Sequence, residues 1–306
     1  MGKLGMRAIF WPMMLWAASA AAADAPEVHA EGWGDTPYVQ TPQNVVEQML
    51  RLARVSARDY VIDLGSGDGR IVITAAKQFG ARGFGVDLDS RLVELGNANA
   101  ARAGVSDRAV FYARDLYETD LSPASVVTFY LLPEVNLMLR PRLLELLKPG
   151  TRLVAHDYDL GDWEPDRSMI VPAPNKPVGR DKISKIFLWI VPAKVAGKWQ
   201  VQVDLGAGAQ EAELTLTQKF QAVEGTLALG GKEIKLDTAR LDGERISFAL
   251  AAAADEASPR REFRGRVAGA SMEGVAFVSG RTAPSRWSAK KLAAAELAGS
   301  VVPASR

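Results

Sequence analysis

The chain has 306 residues, 48% of them hydrophobic, enough to bury a full core and to form two domains of ordinary size. Its 37 basic and 36 acidic residues nearly cancel, so no global field draws it to nucleic acid or to an anionic membrane surface. Cysteine is absent, which excludes disulfides, thiolate metal sites and a cysteine nucleophile.

Lys3 and Arg7 precede an apolar run from Ala8 to Ala18, followed by small residues up to Ala23. A positive start, a short apolar stretch and a small-residue cut site predict a secretory signal peptide over residues 1–23, cleaved before Asp24. The run falls short of the roughly 20 apolar residues that a spanning helix needs. The expected location is therefore the periplasm or envelope, with no stable membrane span after cleavage; an anchored form on the cytoplasmic side is the alternative. Residues 24–35 are polar and read as a linker.

Thr41 followed by Pro42 predicts an N-cap and a first helical position, opening a helix with Val45, Val46, Met49, Leu50 and Ala53 on one stripe. Tyr60 to Arg70 then reads Y-V-I-D-L-G-S-G-D-G-R, an apolar strand running into Asp63 and a loop of Gly65, Ser66, Gly67, Asp68 and Gly69. Glycines let this backbone take unusual angles and approach a ligand, and the helix that starts at Arg70 aims its free amides at the loop. An acid inside the loop would repel a pyrophosphate. Asp63 and Asp68 instead suit a ligand with a positive centre and an ammonium group, which is S-adenosylmethionine.

A second strand, Gly83 to Asp87, ends in an acid placed to accept hydrogen bonds from both ribose hydroxyls. A third, Ala109 to Ala113, leads to Asp115, suited to the adenine amino group, and to Leu116, suited to pack on the ring. The fourth, Val126 to Leu132, is apolar or aromatic almost throughout, as expected of a strand covered on both faces. A helix over Glu134 to Leu147 stops at Lys148-Pro149-Gly150. Arg152 to Ala155 is the fifth strand, and Ile183 to Val191 supplies a final antiparallel element. Strands alternating with helices predict an α/β fold, a doubly wound and mostly parallel sheet.

After Pro192 the pattern changes to short alternating runs, such as V-Q-V-D-L, A-E-L-T-L and I-S-F-A-L, separated by polar turns. These predict an antiparallel β-sandwich or small barrel, with a packed interior favoured over one that holds a small apolar ligand. Ala289 to Ala298 is alanine-rich and reads as a short helix. The expected division is a catalytic domain over 36–195, an all-β domain over 196–290 and a tail over 291–306.

The elements up to Ala193 resemble the class I, seven-strand S-adenosylmethionine-dependent methyltransferases. The stretch from Pro37-Tyr38-Val39-Gln40-Thr41-Pro42 through D-L-G-S-G-D-G-R to Trp163-Glu164-Pro165, with the Tyr130-Leu131-Leu132-Pro133 turn, is similar to one family within them. That family comprises the mitochondrial protein-lysine methyltransferases of the adenine nucleotide translocase and the ATP synthase c-subunit, with bacterial relatives. The resemblance implies a Rossmann-like methyltransferase fold, S-adenosylmethionine as cofactor and a protein lysine as acceptor. It also places Tyr38 and Thr41 near the cofactor mouth.

Methyl transfer from a sulfonium is an in-line displacement with a neutral leaving group, so alignment and desolvation supply most of the catalysis and no metal is needed. A dry aromatic mouth would help a lysine ammonium lose its proton. Tyr130, at the C-terminal end of the fourth strand, is a candidate to border the methyl, the alternative being an ordinary core tyrosine. His156, beside Asp157 on the same rim, is a candidate general base, the alternative being a satisfied structural histidine. The acids from Asp157 to Asp162 suit a cationic substrate segment. The expected partner is thus a protein lysine or a small-molecule acceptor, and not nucleic acid. A different class is an exported ligand-binding protein with a vestigial methyltransferase fold, against which the intact acids and glycines weigh.

Overall fold

A computed structural model describes residues 38–205, 208–250 and 259–292. The expected signal peptide, the linker and all but the start of the tail lie outside the described residues. The chain divides into two compact units, Met1–Tyr38 and Val39–Arg306. Of the first, only Tyr38 is described; the second carries two sheets.

In the first sheet, β1 (Tyr60–Leu64), β2 (Arg82–Asp87), β3 (Ala109–Ala113), β4 (Val126–Phe129) and β5 (Arg152–His156) run parallel. Two antiparallel strands, β6 (Arg167–Pro172) and β7 (Ile183–Ile190), complete the order β3-β2-β1-β4-β5-β7-β6. Alternate side chains of the central strands feed two cores, because successive residues of a strand face opposite ways. Ile62, Leu64, Val127, Phe129 and Leu153 pack with Leu139 and Leu143 of α4 (Pro133–Leu146). Val61, Val126 and Val154 pack with α1 (Gln43–Leu52) and α2 (Arg70–Phe79). A smaller cluster joins α2 to α3 (Ser90–Ala103) and β3.

Several expected boundaries shift. Pro42, not Thr41, occupies the N-cap of α1, and no side chain caps that helix, because the Thr41 hydroxyl bonds to His156 instead. Strand β4 ends at Phe129, and Leu132 with Pro133 at the first position opens α4, so Tyr130 stands beyond the strand. Strand β6 escaped the sequence reading because, as an edge strand, it buries only Val171 and shows no clear alternation.

The second sheet comprises β8 (Gly197–Asp204), β9 (Ala209–Lys219), β10 (Ala222–Leu229), β11 (Lys232–Asp242), β12 (Arg245–Leu250), β13 (Arg261–Ala268), β14 (Ser271–Val278) and β15 (Ser285–Lys291). All pairs are antiparallel, each strand pairs with its chain neighbours, and β15 returns to β8 to close a barrel. Closure decides between the expected sandwich and barrel. An eight-strand barrel is just wide enough for side chains to fill, and here aromatic rings fill it: Phe248 stacks on Phe263 at 4.6 Å and Trp287 meets both edge-on. Trp199 is fully buried in the same cluster. The helix expected from Ala289 is overturned at its start, since Ala289 lies in β15 and faces the barrel core alongside Trp287.

Candidate active site

The strand order reverses between β1 and β4, and ligands of such sheets bind in the crevice at the C-terminal strand ends beside that point. Gly65, Gly67 and Gly69 there take φ of +74°, +52° and +82°, left-handed angles that favour glycine. Amides of Gly65 and Ser66 bond the Val86 carbonyl, which ties the loop to β2. Ser66 is buried against Gly85, where a Cβ would come within 2.4 Å of it, so it packs the loop onto the sheet. Asp87 accepts from the Gly67 amide at 2.9 Å through Oδ2 and from the Asp89 amide at 3.1 Å through Oδ1. Each oxygen keeps a further lone pair.

The other two acids differ from expectation. Asp63 is 2% exposed and takes a 2.6 Å hydrogen bond from the Thr128 hydroxyl, bracing β1 to β4. Burial pushes its carboxyl up to about 7, opposed by the Thr128 bond and reinforced by Asp87 and Asp68. It is a strand brace, not an open countercharge. Asp68 is held by the Arg70 guanidinium through Nε and through Nη2 at 2.5 Å, so its charge is already matched. Arg70 also donates to the Thr41 carbonyl, and Asn99 to that of Asp68.

Beyond β3, Asp115 accepts from the Tyr117 amide at 2.8 Å and Leu116 packs on the core beside β1 and β4. The loop, Asp87, and Asp115 with Leu116 thus stand at or just beyond the C-terminal ends of the neighbouring parallel strands β1, β2 and β3. Tyr38 belongs to the other unit. The bare glycine backbone and the spare lone pairs of Asp87 fit the nucleoside half of S-adenosylmethionine.

Across the crevice the Tyr130 ring packs on His156 at 4.0 Å and on Tyr158 at 6.2 Å, and its hydroxyl donates to Asp157 Oδ2 at 3.2 Å. Burial first, and then the Asp157 charge, push the phenol well above its ordinary range. His156 is 1% exposed, with Nδ1 bonded to the Thr41 hydroxyl at 3.1 Å and Nε2 to the Ser184 hydroxyl at 2.8 Å. Burial lowers its pKa to about 4, partly opposed by Asp157. Both ring nitrogens are engaged and the imidazole is neutral, so the general-base expectation gives way to a positioning one: His156 backs the Tyr130 ring.

The expected acidic rim also resolves into separate roles. Asp162 pairs with Arg140 at 2.6 Å and Lys219 at 3.0 Å, and Asp159 accepts from the Gly161 amide. Asp157 alone faces Tyr130. Its backbone takes a left-handed φ of +63°, uncommon outside glycine, and β7 holds it there: its amide bonds the Lys185 carbonyl at 2.7 Å and its Oδ1 accepts the Lys185 amide at 3.0 Å. Ser184 and Lys176 also meet this cluster; the sequence marks Ser184 only as part of a strand and Lys176 not at all, because β6, whose pairing with β7 folds their connection back onto the site, was not legible.

Sheet order, glycine loop and the acid closing β2 place the protein among the Rossmann-like S-adenosylmethionine-dependent methyltransferases. A family model described as the ANTKMT methyltransferase domain matches residues 63–167. A protein-lysine N-methyltransferase of Saccharolobus islandicus is 47% identical over 130 residues, spanning 42% of this chain and 81% of that one. The adenine nucleotide translocase lysine N-methyltransferase of Mus musculus is 38% identical over 130 residues, and the chain spans only 56% of its length. A crystal structure titled RNA methyltransferase, from Salinibacter ruber with S-adenosyl-L-homocysteine, is 48% identical over 51% of this chain and 96% of that one, with a TM-score of 0.46. The chain belongs to the protein-lysine N-methyltransferase family. The family match ends at residue 167, well short of the barrel.

Proposed function

We propose that the protein methylates the ε-amine of lysine in a protein substrate, and that it does so in the envelope after export. S-adenosylmethionine would supply an electrophilic methyl on a sulfonium and leave as a neutral thioether. The Gly65–Gly69 backbone and Asp87 hold the nucleoside, while Asp115 and Leu116 take the adenine edge. Tyr130, backed by His156 and Tyr158, forms an aromatic wall that keeps water from the acceptor and aligns it for attack. The observation that carries this reading is the Tyr130–Asp157 pair at the end of β4 and β5, an aromatic face with one carboxylate. Such a site suits an alkylammonium: the carboxylate attracts the cation and holds it, while the desolvating aromatic wall favours the neutral amine that must meet the methyl.

Incubation with labelled S-adenosylmethionine and an envelope fraction should label a few discrete proteins, and hydrolysis should release methyl-lysine. Tyr130→Ala should lower turnover far more than cofactor affinity, because it disturbs alignment and not binding. Label found only in small molecules would overturn the lysine reading.

A further inference from the structure

Lys176 lies in the connection between β6 and β7 and is only 8% exposed. Its ammonium donates to the Ile183 carbonyl at 2.6 Å and pairs with Asp157 Oδ2 at 2.8 Å, the same oxygen that accepts the Tyr130 hydroxyl. A lysine of the chain itself is therefore seated, aliphatic stem buried, on the one carboxylate that faces the aromatic wall. Burying an ion pair seldom adds stability over an apolar pair of equal volume, and Asp157 holds its place in a strained backbone conformation. A costly ion pair on a strained residue at the reaction rim points to function.

We propose that Asp157 Oδ2 is the subsite for the acceptor's ε-ammonium, and that Lys176 is its resident occupant until a substrate lysine displaces it. The proposal rests on the lysine-methyltransferase reading and adds the residue that recognises the amine. Asp157 has its amide and Oδ1 fixed by Lys185, which leaves an ammonium Oδ2, the oxygen that accepts the Tyr130 hydroxyl at 3.2 Å and lies 3.5 Å from His156 Nε2. Once the ammonium has given a proton to solvent, the nitrogen lone pair forms the new N–C bond. The S–C bond of the donor breaks with its electron pair left on sulfur, and the second proton leaves the methylated amine. With no other acceptor present, Lys176 itself meets these conditions.

The test uses the full chain and n-butylammonium, which reproduces a lysine side chain from Cβ to Nζ. Lys176→Ala should be stabilised against heat by n-butylammonium but not by n-butanol, and the Asp157→Asn, Lys176→Ala double variant should lose that response. With S-adenosylmethionine, Lys176→Ala should convert n-butylamine to N-methylbutylamine at least tenfold faster than the parent. The parent alone, incubated with the donor, should gain one methyl on Lys176 by peptide mass spectrometry, a readout that stands even if the variants fail to fold. Failure to methylate both Lys176 and n-butylamine, while envelope lysines are still labelled, would make the pair structural and sink this proposal alone. No label on any amine, with the donor still bound, would sink the lysine reading together with it.

Discussion

Two buried groups beside the crevice titrate abnormally and in opposite senses. Asp63 is raised from 3.8 to about 7, so the native state keeps a proton that the unfolded chain releases. The stability this gives is whole below about pH 4 and is lost as pH rises through 7. His156 is lowered from 6.5 to about 4, so the unfolded chain takes up its proton first. Its stability is whole above about pH 6.5 and is lost as pH falls towards 4. Each slope is at most roughly 1.4 kcal/mol per pH unit, and over the shared window the two offset one another. Asp63→Asn should therefore leave stability rising with pH between 4 and 7, and His156→Gln should leave it falling. Urea midpoints across that range read both, and the same slope in the two variants would contradict the assignment. Asp87→Ala is the complementary test of the cofactor edge. It strands the Gly67 amide and removes the proposed ribose acceptor, so calorimetry should show S-adenosylmethionine binding weakened by about 1–3 kcal/mol.

At the level of elements, the barrel meets the parallel sheet through the β11–β12 turn, where Gly243 packs on Gly150 and Ile190, and through the β9–β10 turn. Between β9 and β10, Phe220 takes φ +53° and stacks on Trp163 at 5.4 Å, while Gln221 bridges the Trp163 indole at 2.8 Å and the Glu164 carbonyl at 2.6 Å. Arg140 lies over the Phe220 ring, and Lys219 reaches Asp162. Trp163 is fully buried as a result. Trp163→Ala should cost about 3–5 kcal/mol in denaturant unfolding, the range for deleting a buried large aromatic. A double-mutant cycle with Phe220→Ala should return a coupling of about 0.5–1.5 kcal/mol for the ring pair. Zero coupling would mean that the turn merely rests on the sheet. This contact also bears on the expected division near residue 195. A fragment ending at Ala196 would expose Trp163, so we expect it to bind the cofactor but to unfold at a lower temperature than the full chain.

For the whole molecule, localisation is the open proposal, carried by Lys3, Arg7, the apolar run to Ala18 and the small residues to Ala23. N-terminal sequencing of protein recovered from the envelope fraction should start at Asp24. Recovery from the cytosol with the first 23 residues intact would overturn export, and would also remove the question of how a cofactor made in the cytosol reaches the enzyme. The barrel, with Trp199, Phe248, Phe263 and Trp287 filling its interior, does not favour the ligand-binding alternative.

Local pattern was enough for the parallel sheet, the glycine loop and the acid that ends β2, because each follows from spacing along a short stretch: alternating or continuous apolar runs, glycines at left-handed angles, an acid at a strand end. It was also enough to predict a second, all-β region, though not its closure, which depends on β15 finding β8 far away in the chain, with Trp287 opposite Val203 and Lys291 opposite Trp199. The same limit governed the site. In the sequence Asp63 and Asp68 belong to the glycine loop and Asp157 and Asp162 to the acidic rim, yet Asp63 braces two strands, Asp68 is matched by Arg70, Asp162 is matched by Arg140 and Lys219, and Asp157, paired with Lys176, faces Tyr130. What distinguishes them is the partner that folding brings to each, and burial and pairing between distant residues set a carboxylate's charge and availability. Sequence names the titratable group; only the packed structure decides whether it is spent on the fold or left for a substrate.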